Sequence, residues 1–223
     1  MRVAAMRASP QAKASNNEDG KAPDAPREKV LVLFGDSNFH YRPEKTFLST
    51  WLGWPPESTG DMVRARLSGR VILASSSCLD FRESTMQLVQ TSLETVKSLC
   101  ANIDIYVLVL CGQNDADSTS RRSTRNFDET REQFKQLVEE KVQKLEKAIP
   151  YATIYWVTPF DDPTATFTEQ YVALVKELRN VICLRERVVT FGPFSSFEAD
   201  KYHLVTKERT EFANQVLEWF AAL

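Results

Sequence analysis

The chain has 223 residues, of which 43% are apolar and 26% charged, with a formal net charge of −2. That is apolar material for one sizeable core, and one domain with or without a tail is the expected organisation. A near-neutral balance excludes a global electrostatic pull toward nucleic acid or a membrane surface, and no apolar run approaches the roughly 20 residues of a membrane-spanning helix.

Residues 1–27 are rich in Ala, Pro, Asn, Lys and Asp and have no hydrophobic period, so they read as a disordered N-terminal tail. The first residues are too weakly apolar for a secretory signal. They are basic, small and free of acids through Ser15, which also fits an organelle transit segment; the plain tail is preferred. The domain proper is expected over 28–223. Its first strand lies near 29–34, where Val30–Phe34 forms a continuous apolar run ended by Gly35. Such a run reads as a strand buried on both faces. Pro43–Leu52 has a short helical pattern. Ser58 or Thr59 is placed to cap a helix running to Leu67 and stopped at Gly69.

Val71–Ala74 is a second buried strand, followed by the small-residue loop Ser75–Cys78. Over 82–100, Met86, Val89, Leu93, Val96 and Leu99 recur near helical spacing. Ile103–Cys111 is the longest β-branched apolar run and predicts a central strand, ending in Gly112-Gln113-Asn114-Asp115. Residues 116–126 read as a polar loop carrying Arg121, Arg122 and Arg125. Asp128 opens a helix to about Ala148, with Phe134, Leu137, Val138, Val142 and Leu145 inward. Thr153–Val157 is a fourth strand, 167–178 a helix, and 181–190 holds a weak fifth strand. A last helix over about 206–221 buries Phe212, Val216, Leu217 and Phe220, with Thr206 as its N-cap candidate.

Strands alternating with helices predict a parallel sheet covered on both faces, a three-layer α/β/α sandwich. The natural order for five strands is the flavodoxin-like 2-1-3-4-5. In that order the carboxyl ends of strands one, two and three, carrying Ser37, the Ser75–Cys78 loop and Asn114, converge on one crevice. Ligands bind at such ends.

Ser37 is therefore either the cap of the next helix or a nucleophile. A serine hydroxyl needs a base, and the chain has two histidines, His40 and His203. His203 lies three residues after Asp200, a spacing that lets a carboxylate orient an imidazole; its bland reading is a surface residue before the last helix. His40 has no evident acid partner and reads as a loop or wall residue. Asn114 and the Ser37 amide are candidate donors to an oxyanion, with the Ser75–Cys78 loop a third; Asn beside Gly is also a common turn residue. Trp51 and Trp54 read as core or pocket wall, and Phe160-Asp161-Asp162 as a polar rim. The four cysteines are scattered and without a ligand-spaced cluster, which argues for free thiols in a reducing, intracellular compartment and against zinc. No metal and no cofactor is expected.

Gly35-Asp36-Ser37-Asn38, Gly112-Gln113-Asn114-Asp115 and Asp200-Lys201-Tyr202-His203-Leu204 resemble, in order and spacing, the GDSx, GxND and DxxH blocks of the SGNH, or GDSL-like, hydrolases. The resemblance spans the chain after its tail. It implies a small-ester hydrolase with Ser37 as nucleophile, His203 as base and Asp200 as its orienter, and an oxyanion hole of Ser37 and Asn114. The family's remaining block supplies a glycine amide after strand two. Here the segment reads Ser75-Ser76-Ser77-Cys78, and Cys78 is nearest by spacing, so a side chain fills room that glycine leaves open. Asn38, Gly112 and Arg121 beside these positions are the expected substrate contacts. The alternative is a non-enzymatic SGNH-like binding module for RNA or protein, a role the C-terminal domain of Oskar has on this fold; the missing glycine and the arginines favour it, and the retained Ser, Asp, His and Asn oppose it. A flavodoxin-like cofactor binder ranks below both, since no glycine-rich phosphate loop follows strand one.

Overall fold

A computed structural model describes residues 27–35, 37–40, 58–67, 71–75, most of 90–98, 102–122, 126–160, 167–198 and 203–223. Alternation hidden inside the continuous apolar runs builds its sheet. In β1 (Glu28–Gly35), Val32 and Phe34 enter one core while Leu31 and Leu33 enter the other. In β3 (Ile103–Leu110), Val107 and Val109 pair with the first set, Leu108 and Leu110 with the second. Successive side chains of a strand point to opposite faces, so an unbroken run is what a strand needs when both faces are dry.

With β2 (Val71–Ser75), β4 (Thr153–Val157) and β5 (Val188–Val189), the order is β2-β1-β3-β4-β5, and every pairing is parallel. Order and layering are those read from the sequence. The first face is covered by α3 (Gln113–Arg122), α4 (Phe127–Ala148) and α5 (Glu169–Cys183), which contribute Ala116, Phe134, Val138, Leu174 and Leu178. Leu93, in a helical stretch within 90–98, joins them. The second face is covered by α1 (Ser37–His40), α2 (Thr59–Arg66) and α6 (Thr206–Ala222), through Phe39, Val63, Phe212, Ala213 and Val216. Each large apolar side chain so buried contributes about 1.5–3 kcal/mol.

The ends of α2 follow sequence logic. Ser58 Oγ accepts from the Asp61 amide at 3.1 Å, and Asp61 Oδ2 accepts from the Ser58 amide at 3.2 Å, a reciprocal box. Elsewhere local readings give way. The polar stretch expected as a loop over 116–126 is helical through Arg122, because Gln113, Ala116 and Ser120 recur at helical spacing and are small or polar enough to pack. Asn126, not Asp128, caps α4, and Leu137 flanks its buried stripe at 36% exposure. α5 continues to Cys183, five residues beyond the expected Leu178 end, since Val181 and Ile182 extend its buried face; this shortens the fifth strand to two residues. Val205 rather than Thr206 is the N-cap of α6, without a side-chain bond. Cys111 is a buried free thiol and Cys183 an exposed one. The expected helix at Pro43–Leu52, and Trp51, Trp54, Gly69, Cys78, Cys100, Asp161 and Asp162, lie outside the described residues.

Candidate active site

Strand register brings the carboxyl ends level. Gly35 pairs with Ser75 of β2 on one side and Leu110 of β3 on the other. The approach to β3 leaves no room for a side chain: a Cβ on Gly35 would lie 2.2 Å from the Leu110 carbonyl oxygen and 2.9 Å from Cδ2 of Phe39. Glycine is thus required between the strand and the turn that carries Ser37. Ser37 opens α1, and Asn38 and Phe39, the next two residues, are buried. Asp36 and the side chains of Ser37 and His40 lie outside the described residues.

Two residues beyond Leu110, Gly112 takes φ +105°, a backbone state that L side chains rarely adopt. The turn delivers Gln113 and Asn114 to the first positions of α3, and the Ala116 amide closes on the Gly112 carbonyl at 3.0 Å. Gln113 is 4% exposed and its Nε2 donates to the Phe160 carbonyl at 2.9 Å, fastening α3 to the segment after β4. The sequence motif contains Gln113, but nothing in the motif assigned it that task. Arg121 lies at the far end of α3, ion-paired with Asp117 at 2.9 Å and largely exposed. Arg122 is beside it, and Arg125 lies outside the described residues.

His203 sits in the segment between β5 and α6. That segment is built as a narrow neck. The Glu198 amide donates to the His203 carbonyl at 2.7 Å, the Val205 amide donates to the Ser196 carbonyl at 3.2 Å, and Phe197 and Leu204 form an antiparallel bridge. Asp200 lies outside the described residues. α6 holds the neck from below. Glu208 Oε1 accepts from the amide and hydroxyl of Ser195 at 3.3 and 3.1 Å, and Gln215 Oε1 accepts from the Gly192 amide at 2.8 Å. Arg209 bonds both sides of the neck.

Aromatic rings tie this neck to the Ser37 turn. Phe212 of α6 stacks on Phe39 of α1 with centroids 5.5 Å apart and planes 16° apart. The same ring meets Phe191 at 5.3 Å, Phe160 at 5.4 Å and Phe194 at 5.7 Å. One side chain therefore joins the segments following β1, β4 and β5. Phe160, expected on a polar rim, is part of this cluster. Such rings add about 0.5–1.5 kcal/mol per pair beyond burial. Of the expected site residues, Ser37, Asn38, Gly112, Asn114 and His203 belong to elements that this scaffold gathers at the carboxyl end of the sheet; Arg121 is two turns of helix away.

These features define a doubly wound parallel α/β domain. No family model matches the chain, and no curated protein matches it in sequence. Among solved structures it is similar to the aryl esterase of M. smegmatis (TM-score 0.56, 15% identity, covering 88% of this chain and 99% of that one). It is similar also to a carbohydrate acetylesterase from Sinorhizobium meliloti (TM-score 0.52, 18% identity, 87% and 99% covered) and to a protein assigned as a GDSL-like lipase from Parabacteroides merdae (TM-score 0.51, 15% identity, 88% and 98% covered). The fold is that of the SGNH hydrolases. Among the described residues no helix is long and apolar enough to cross a membrane, and no group of three or more His, Cys, Asp or Glu could hold a metal ion.

Proposed function

We propose that this chain is a serine ester hydrolase acting on a small carboxylic ester, such as a lipid or an acetylated carbohydrate, through an acyl-enzyme. The observation that carries the reading is convergence. Gly35 and Leu110 are in register, Ser37 and Asn114 follow within a few residues, and the His203 neck is fixed to the helix whose Phe212 stacks beside Ser37's own helix.

In this reading Ser37 adds to the ester carbonyl as a ring nitrogen of His203 takes its proton, with Asp200 orienting the imidazole. The amides of Ser37 and Cys78 and the Asn114 side chain receive the oxyanion, each donor worth about 3–4 kcal/mol. The carbon–oxygen bond to the alcohol breaks, and the imidazolium protonates the departing oxygen. Water then adds to the acyl carbonyl as the imidazole takes its proton; the bond to Ser37 breaks, the serine oxygen is reprotonated, and the acid is released. Asn38 and Gly112 line the approach to the carbonyl. The non-enzymatic reading draws on the arginines, but Arg121 already shares its charge with Asp117.

Turnover of p-nitrophenyl acetate tests the proposal. Ser37→Ala and His203→Ala should each lower it by roughly 1,000-fold or more, to a small residual rate, and variants as fast as the wild type would refute it.

A further inference from the structure

We infer that Arg209 is a positioning residue that sets the His203 imbedding neck, acting on catalysis through His203 without touching substrate; the inference rests on the hydrolase reading above. Arg209 lies in the first turn of α6 and is 1% exposed. Its Nη1 donates to the Leu204 carbonyl at 2.5 Å and to Glu198 Oε1 at 3.2 Å, and its Nη2 donates to Thr206 Oγ1 at 2.7 Å. Glu198 is on the chain entering the neck, Leu204 on the chain leaving it, and Thr206 on the helix below. Glu198 also donates its amide to the His203 carbonyl. The guanidinium therefore joins both strands of the loop at the residues flanking His203.

Stability alone does not account for this choice. Burying the Arg209 guanidinium costs desolvation that an apolar residue of similar volume avoids, and Arg209 continues the apolar stripe of Phe212, Ala213 and Val216. What the guanidinium adds is geometry. Its planar fork reaches acceptors in several directions at once, whereas a lysine ammonium concentrates its donors on one nitrogen. Arg209→Lys keeps the charge and most of the stem but cannot hold Glu198, Leu204 and Thr206 together. A displacement near 1 Å of a reacting group costs up to about 100-fold in rate.

The test is a double-mutant cycle with His203. Rates are measured with p-nitrophenyl acetate on the full chain for wild type, Arg209→Lys, His203→Ala and the double variant, with thermal unfolding as a fold control. Arg209→Lys should lower kcat about 10- to 100-fold with KM within about threefold, and should have no further effect in the His203→Ala background. Thr206→Val, at an exposed position, should lower kcat severalfold, with Thr206→Ser restoring it; it decides the matter by the same cycle if Arg209→Lys does not fold. An unchanged kcat, or equal losses with and without His203, would overturn the positioning role while leaving the hydrolase intact. A wild-type chain without turnover would sink the hydrolase reading, and this inference with it.

Discussion

Replacing Gly35 by alanine asks the closest contact in the sheet to open. The new Cβ would sit 2.2 Å from the Leu110 carbonyl oxygen, an overlap of about 1 Å against ordinary carbon–oxygen contact, and 2.9 Å from Phe39. The Phe39 ring is itself wedged against Phe212 at 5.5 Å, and the carbonyl belongs to the backbone of a central strand. Neither neighbour can yield by a simple side-chain rotation. Overpacking of a tight core typically costs 1–3 kcal/mol, and a clash with backbone belongs at the top of that range, about 3 kcal/mol. For a domain of this size that lowers Tm by about 6–12 °C. Urea unfolding gives the free energy directly, with an unchanged m-value expected. Parting β1 from β3 also separates Ser37 from Asn114, so ester turnover of the folded variant should fall at least 10-fold. A Gly35→Ala chain within about 0.5 kcal/mol of wild type would refute the close approach on which the site's geometry depends.

Phe212→Ala should cost about 3–5 kcal/mol, since a ring in contact with four others leaves a cavity that rigid neighbours cannot fill; a loss below 1 kcal/mol in urea would deny the cluster its role. Gln113→Leu removes the donor to the Phe160 carbonyl and should destabilise by about 1–3 kcal/mol, read from the same unfolding curves. Alkaline stability has a defined sign. Burial, reinforced by the Asp104 carboxylate, raises the Tyr106 phenol, and burial reinforced by Glu94 raises that of Tyr151. Both favour the neutral form in the fold, so their contribution is complete below the ordinary tyrosine value near 10 and is lost as pH rises through the higher folded values. Urea midpoints between pH 9 and 11 should fall less steeply in Tyr106→Phe and Tyr151→Phe than in wild type, and parallel slopes would contradict this.

The sheet was readable because its strands are apolar on both faces, which leaves no other way to bury Val30–Phe34 or Ile105–Leu110. The errors fall where one pattern serves two structures. Val181 and Ile182 are β-branched and invited a strand, yet they complete the helical stripe begun at Leu174 and Leu178. α3 escaped notice because its buried positions are Gln113, Ala116 and Ser120, whose helical spacing carries almost no hydrophobic signal. The site divided in the same way. Ser37, Asn114 and His203 stand in motifs, and Gly35 advertises a close approach. Glu208 and Arg209 stand in no motif, and the sequence reading names neither. The available signal was that Arg209 falls on the same face as Phe212, Ala213, Val216 and Phe220, where a charge must find partners.

Activation of the Ser37 hydroxyl is the claim on which the functional account stands, and covalent labelling with a fluorophosphonate probe measures it most directly. The account predicts one adduct per chain, located at Ser37 by peptide mass spectrometry, absent from Ser37→Ala and formed far more slowly in His203→Ala. A folded wild-type chain that takes up no probe, or takes it up at another residue, would contradict it.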